Sequence, residues 1–206
     1  IRKNLLEYDD VMNDQRKSLY KLRRDVIGAQ LETMREMIYD ISEEAIINIV
    51  ARMCPAKSHL GDWDLDGLEE FFHEQFDLHA DLQNLDDIAQ EDLENRLFVG
   101  IEKGIENKIE LYQEEPFLTI SRIIYLQTID NLWKDHLREM DHLREGISLR
   151  GYAQKDPKQE YKKEGFNLFA NMMAGIGGDV LQKVFRVVIT HTTEEDYQAR
   201  LEARRQ

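Results

Sequence analysis

A single cysteine, Cys54, in 206 residues leaves no partner for an intrachain disulfide, and none for a four-cysteine zinc site or a CxxC redox pair. Such usage fits a reducing compartment. Three prolines and eleven glycines are too few for a low-complexity chain. With 42% hydrophobic and 33% charged residues, the chain can bury a core and reads as helical rather than disordered. No stretch nears the roughly 18 unbroken apolar residues that a membrane-spanning helix needs, and no charged-then-apolar signal pattern opens the chain. A soluble protein is expected. Basic residues are also short: 27 Lys and Arg stand against 41 Asp and Glu, a net charge of −14. That balance argues against nucleic acid as a partner, because phosphate affinity rests on cations displacing counterions. The chain contains neither a GxxxxGK[ST] stretch nor a strand followed by GxGxxG, so it has no familiar phosphate cradle, and no nucleotide hydrolysis is expected of it alone. It opens on Ile1, which suggests a piece of a longer polypeptide, although processing or truncation would look the same.

What is present is helical periodicity. Leu5, Tyr8, Met12, Gln15, Leu19, Leu22, Val26 and Ala29 step by alternating three and four, one stripe of a helix with one polar member, Gln15. Beyond Gly28, a place where the helix can bend or break, Met34, Met37, Ile38, Ile41, Ala45 and Ile49 continue the pattern up to Cys54-Pro55. From Pro55 to Pro116 the composition changes. Four basic residues (Lys57, Arg96, Lys103 and Lys108) face eighteen acidic ones, so the entire net charge of −14 lies here. Leu68, Phe71, Phe72 and Phe76, then Leu93, Leu97, Ile101, Ile105 and Leu111, predict two or three short helices inside this acidic unit. After Pro116 a helix is expected over about 118–149, with Ile129, Trp133, Leu137, Met140, Leu143 and Ile147 on its apolar face. Another carries Phe166, Phe169, Met173, Ile176, Val180, Val184 and Val187. Between them Gly151 suits a helix stop, Asp156 a cap, Pro157 a first turn and Gln159 a capping-box return bond. So short a connection forces an antiparallel hairpin. Gly175, Gly177 and Gly178 predict a kink or close helix packing in its second arm. The expected fold is therefore all-α: one very long helix (1–54), an acidic helical insert (55–117), a two-helix hairpin (118–189) and a polar extension (190–206).

Few constellations carry chemistry. Asp62-Trp63-Asp64-Leu65-Asp66-Gly67 matches the first half of a calcium loop. The twelfth position is His73 instead of a bidentate glutamate, so capping of a helix that begins near Leu65 explains the carboxylates with less. His136, Glu139 and His142 diverge around one helix and are read as solvent-facing or interhelical hydrogen-bonding side chains. No metal site is expected. The pairs Asp9-Asp10 and Asp86-Asp87 lack a matching nucleophile. Tyr152 sits in the hairpin turn among Arg150, Lys155, Lys158, Lys162 and Lys163. That arrangement suits a contact site, or contact with anionic lipid headgroups, while a Tyr152 folded back onto the last turn near Leu149 is the plainer alternative.

Three separated motifs carry a family resemblance: Asn4-Leu5-Leu6-Glu7-Tyr8-Asp9-Asp10-Val11-Met12-Asn13-Asp14-Gln15-Arg16, Leu132-Trp133-Lys134-Asp135-His136-Leu137, and the run from Leu149 through Arg150-Gly151-Tyr152 to Tyr161. In this order they resemble the SecA family of bacterial preprotein-translocation ATPases, over nearly the whole chain and least in the acidic insert. The resemblance implies a helical scaffold over 1–54, a helical wing over 55–117 and a two-helix finger over 118–189. It further implies that Arg150, Gly151, Tyr152, Lys155 and Lys158 contact preprotein and the SecY channel, that Arg16 contacts the motor domains, and that the finger restrains ATP hydrolysis. ATP and magnesium would be held by motor domains outside this chain, and the location would be cytoplasmic, at the periphery of the inner membrane. The competing reading is a free-standing helical adaptor that binds partners through its acidic unit.

Overall fold

The computed structural model describes residues 2–56, 59–85, 88–150 and 156–189; side chains are described from Tyr8 onward, except those of Leu60 and residues 148–150. Six α-helices follow one another: α1 (Arg2–Gly28), α2 (Leu31–Met53), α3 (Leu65–Phe76), α4 (Gln90–Tyr112), α5 (Glu114–Arg150) and α6 (Pro157–Arg186). No strand occurs among the described residues. The all-α expectation holds, and Gly28 is where the first long helix breaks. Gln30 takes an extended conformation there, and Arg122 of α5 donates from Nη2 to the Ala29 carbonyl at 2.6 Å, satisfying a group that the interrupted helix leaves open.

Tyr8, Met12, Gln15, Leu19, Leu22 and Val26 form the inward stripe of α1, continued by Ala29 just beyond it; Gln15 is buried with Leu19, Val26 and Ala29, and Tyr8, Met12 and Leu22 are half-buried. Helix α2 buries Met34, Ile38, Ile41, Ala45 and Ile49 as its spacing predicts. A cap starts α3: Asp64 Oδ1 accepts from the Gly67 N–H at 3.0 Å, and the absent side chain at Gly67 lets the carboxylate fold over the first turn. The carboxylate is thus engaged as a helix cap at the position where the sequence pointed to one. Asp77 closes α3 in the left-handed conformation (φ 55°), its N–H bonded to the His73 carbonyl.

Helix α5 begins at Glu114, four residues before the expected Leu118, because Pro116 falls in its first turn, where a missing N–H costs nothing. One residue, Gln113, separates α4 from α5, and it adopts φ 69°, ψ 151° to turn the corner. The acidic unit has no core of its own. Leu93, Leu97, Ile101 and Ile105 of α4 and Leu68, Phe72 and Phe76 of α3 join one cluster with α2, α5 and α6. Its charge lies on the outer surfaces of helices whose inner faces are continuous with the scaffold. Arg35 and Tyr39 of α2 both reach Glu106 of α4, and Arg35 also meets Glu114 at 3.2 Å.

Helices α5 and α6 pack antiparallel, with Lys183 bonded to Thr128 at one level, and His136 beside Phe169 and Met140 beside Gly165 further along. Asp156 caps α6 by accepting from the Lys158 N–H at 3.0 Å, and Pro157 opens the first turn. The glycine cluster leaves α6 unbroken. A Cβ on Gly177 would lie 3.3 Å from Ile41 Cβ and 3.4 Å from its carbonyl oxygen, so the glycine serves close approach of α2. Phe166 departs from expectation: it is 68% exposed, and Tyr161 and Gly165 take the inward face near the hairpin end. There the inward direction is set by α1, whose Tyr8 meets Tyr161 edge-on at 4.6 Å.

Candidate interaction site on the scaffold and hairpin

The residues expected at the hairpin turn divide. Gly151, Tyr152 and Lys155 lie outside the described residues, and Arg150 is described only as the last residue of α5. Lys158 is half-buried in the first turn of α6. Arg16 is exposed on α1, where Nη1 donates to Asn13 Oδ1 at 3.2 Å. Its neighbour Gln15 bonds to His136, and Arg150 lies roughly 20 Å further along α5 at 1.5 Å per residue. The two sets of candidates therefore occupy different levels of the molecule.

A polar junction fastens α1 to the hairpin at the level of Arg16. Gln15 Nε2 donates to the Gly165 carbonyl at 2.9 Å, so the amide oxygen is the acceptor on its other side. His136 Nε2 lies 2.8 Å from that oxygen and must therefore carry the proton. The imidazole is 1% exposed, flanked by Trp133 and Phe169 with ring centroids 5.4 and 5.7 Å away, and its Nδ1 has no hydrogen-bond partner. Burial lowers its pKa from the ordinary 6.5. His142 and Glu139 face solvent, so the three residues diverge as their spacing implies. The sequence had signalled this junction through Gln15, the one polar member of an apolar stripe.

Below the junction, α1 and α5 enclose a groove of about 650 Å³ lined by Leu19, Tyr20 and Trp133, with Lys17, Arg23, Arg24 and Lys134 at its rim. Asp130 is tied to Arg23, Nε to Oδ1 at 3.0 Å. Tyr20 is 52% exposed. Sequence reading had missed this surface, although its signal was present: five cations (Arg16, Lys17, Lys21, Arg23 and Arg24) and no acid from Gln15 to Arg24, in a chain of net charge −14. Cys54 is fully buried, and burial raises its thiol pKa, so it is held as an unreactive core residue. Asp9 and Asp10 are exposed, and Asp86 and Asp87 lie outside the described residues.

A broken scaffold helix clasping a long antiparallel hairpin, with a small helical unit packed at the hairpin base, defines a helical scaffold-and-wing protein. A family model described as the SecA wing and scaffold domain matches residues 1–188, and the chain belongs to that family. Relatives named protein translocase subunit SecA include one from Anaeromyxobacter sp. (strain Fw109-5), 40% identical across all of this chain and 25% of its own length. One from Geobacter metallireducens is 39% identical across all of this chain and 23% of its own, and one from Syntrophotalea carbinolica is 42% identical across 91% and 21%. The chain thus spans about a quarter of the length of the curated relatives it matches.

Proposed function

We propose that this chain is the C-terminal helical region of a SecA-type preprotein translocase. In this reading it passes ATP-driven motor movement through α1 to the α5–α6 hairpin, whose turn engages preprotein at the SecY channel. The observation that carries it is the hairpin: arms of 37 and 30 residues, about 55 and 45 Å long, paired antiparallel and rooted in a core shared with α2, α3 and α4. Two helices joined by an apolar seam transmit displacement along their length, whereas a loop of equal length would absorb it as conformational entropy. Arg150, Gly151, Tyr152, Lys155 and Lys158 would meet the translocating chain at the turn, a phenol among cations suiting varied polypeptide. Arg16 and the neighbouring basic groove would meet the motor domains. ATP and magnesium belong to those domains, this chain having no phosphate-cradling motif, and the finger would restrain their hydrolysis through the same contacts. No described helix is long and apolar enough to cross a membrane, which suits peripheral attachment at the inner membrane, anionic lipid included.

Replacing Tyr152 by alanine in the full-length translocase tests the reading, with preprotein transport into vesicles and thermal unfolding measured separately. Transport should fall at least tenfold with the melting temperature unchanged. Normal transport by the folded variant would sink the assignment of the turn.

A further inference from the structure

The junction of Gln15, His136 and Gly165 has a property that simple packing does not require. Its histidine can hold its bond to Gln15 only through a protonated Nε2, since the Gln15 amide already donates to Gly165 and presents oxygen to the ring. The other nitrogen, Nδ1, is buried and unpartnered. The groups around the ring are Gln15 from α1, Trp133 from α5 and Phe169 from α6, none of them charged. No charged side chain offsets burial in setting its proton affinity. In the adjoining layer Tyr8 of α1 and Tyr161 of α6 pack on one another. A proton added to Nδ1 would create an N–H without an acceptor and a positive charge without a counterion, in a buried site flanked by aromatic rings.

The layout confines the consequence. Above the junction, toward the hairpin turn, Tyr8, Val11 and Met12 of α1 are held by a small cluster with Met140, Ile147 and Tyr161. Below it the large core continues through every helix. We propose that the Gln15–His136–Gly165 junction is a proton-sensitive clasp: with His136 neutral it pins the N-terminal half of α1 to the hairpin, and protonation of Nδ1 releases that half while the main core stays folded. Gln15 and His136 act as positioning residues, fixing the direction in which α1 meets the hairpin. The inference concerns this chain's own helices and stands independently of what the hairpin turn touches.

The sign follows from linkage. A histidine whose folded pKa lies below its ordinary 6.5 contributes its full stability above that pH and loses it as the pH falls toward the folded value. One proton is involved, so opening should increase by at most about tenfold per pH unit through this window. Hydrogen–deuterium exchange of the 206-residue chain, corrected for the intrinsic pH dependence of exchange, reads this directly. Amides of residues 9–19 should lose several-fold protection between pH 7 and pH 5.5, while those of α2 and α4 keep theirs. His136→Gln retains a side-chain N–H donor for Gln15 without a titrating nitrogen, and its α1 should be equally protected at both pH values. Should that variant fail to fold, the His136 ring resonances of the wild-type chain decide: they should titrate below 6.5 from a neutral Nε2–H form. A midpoint at or above 6.5, loss of protection spread evenly over all helices, or the same pH response in His136→Gln would each overturn the proposal.

Discussion

Helix α4 is joined to the hairpin by an aromatic edge inserted where a side chain is missing, and that contact can be tested by reversing the sign of one substitution. Gly104 is buried in α4, and a Cβ built there would sit 2.7 Å from Phe185 Cε1, 3.1 Å from Phe185 Cζ and 3.1 Å from Leu78 Cδ1. Phe185 is 6% exposed and packed on Phe76 at 5.3 Å between ring centroids, so the ring has little room to withdraw. Gly104→Ala gains about 1 kcal/mol of helix propensity. Against this stands an overpacking cost of about 1–3 kcal/mol, because ring and backbone must separate. The net expectation is a destabilisation of up to about 2 kcal/mol. Phe185→Ala alone should cost about 3–5 kcal/mol, and it empties the space into which the new methyl points. In that background the nearest remaining atom is the terminal methyl of Leu78, and it can rotate away. Gly104→Ala should then stabilise by about 1 kcal/mol, giving a coupling of about 1–3 kcal/mol between the sites. Urea unfolding of the four proteins measures each corner of the cycle. Additive effects, or a stabilising Gly104→Ala in the wild-type background, would refute the argument that the missing side chain is what admits the ring.

Two further expectations concern the joints of α4. Glu106 is held below its ordinary pKa of 4.5 first by the Tyr39 hydroxyl and then, against the opposing effect of burial, by Arg35. It therefore contributes stability above about pH 4.5 that is lost as the pH falls. Glu106→Gln should flatten the stability profile below that pH, by under about 1 kcal/mol because both partners are partly exposed; an unchanged acid limb of the profile measured by urea unfolding would contradict this. Gln113 turns the corner between α4 and α5 at φ 69°, ψ 151°, a region that suits glycine. Gln113→Gly should raise stability by about 1 kcal/mol, visible as a higher denaturant midpoint with unchanged slope, and a lower midpoint would show that the strain is not there.

Much of the fold was legible in the chain because it is written at short range. The three-and-four spacing of Leu19, Val26, Met34, Ile38 and Ile41, the stop at Cys54-Pro55, the Asp156-Pro157 start and the Asp64 cap each depend on residues within a turn or two of one another. The acidic composition of residues 55–116 was equally visible, yet it describes a surface and says nothing of the shared core beneath it, since charge and burial lie on opposite faces of the same helices. Phe166 shows the limit of periodicity. Its spacing was right for an inward position, but the direction of inward near the hairpin end was set by α1, more than a hundred residues away in sequence.

The sequence alone determined that the chain is helical, several of its helix ends, such as the stop at Cys54-Pro55 and the start at Asp156-Pro157, that two of its helices form a hairpin, and which family its motifs resemble. Only the tertiary structure decided that Gln15 and His136 are partners 121 positions apart, that the cations of α1 and α5 rim one groove, and that Gly104 is a slot for Phe185. Backbone propensity and periodicity are local properties of a chain. Which polar atom finds which partner depends on how whole helices are set against each other, and that arrangement comes from burying all of their apolar faces at once.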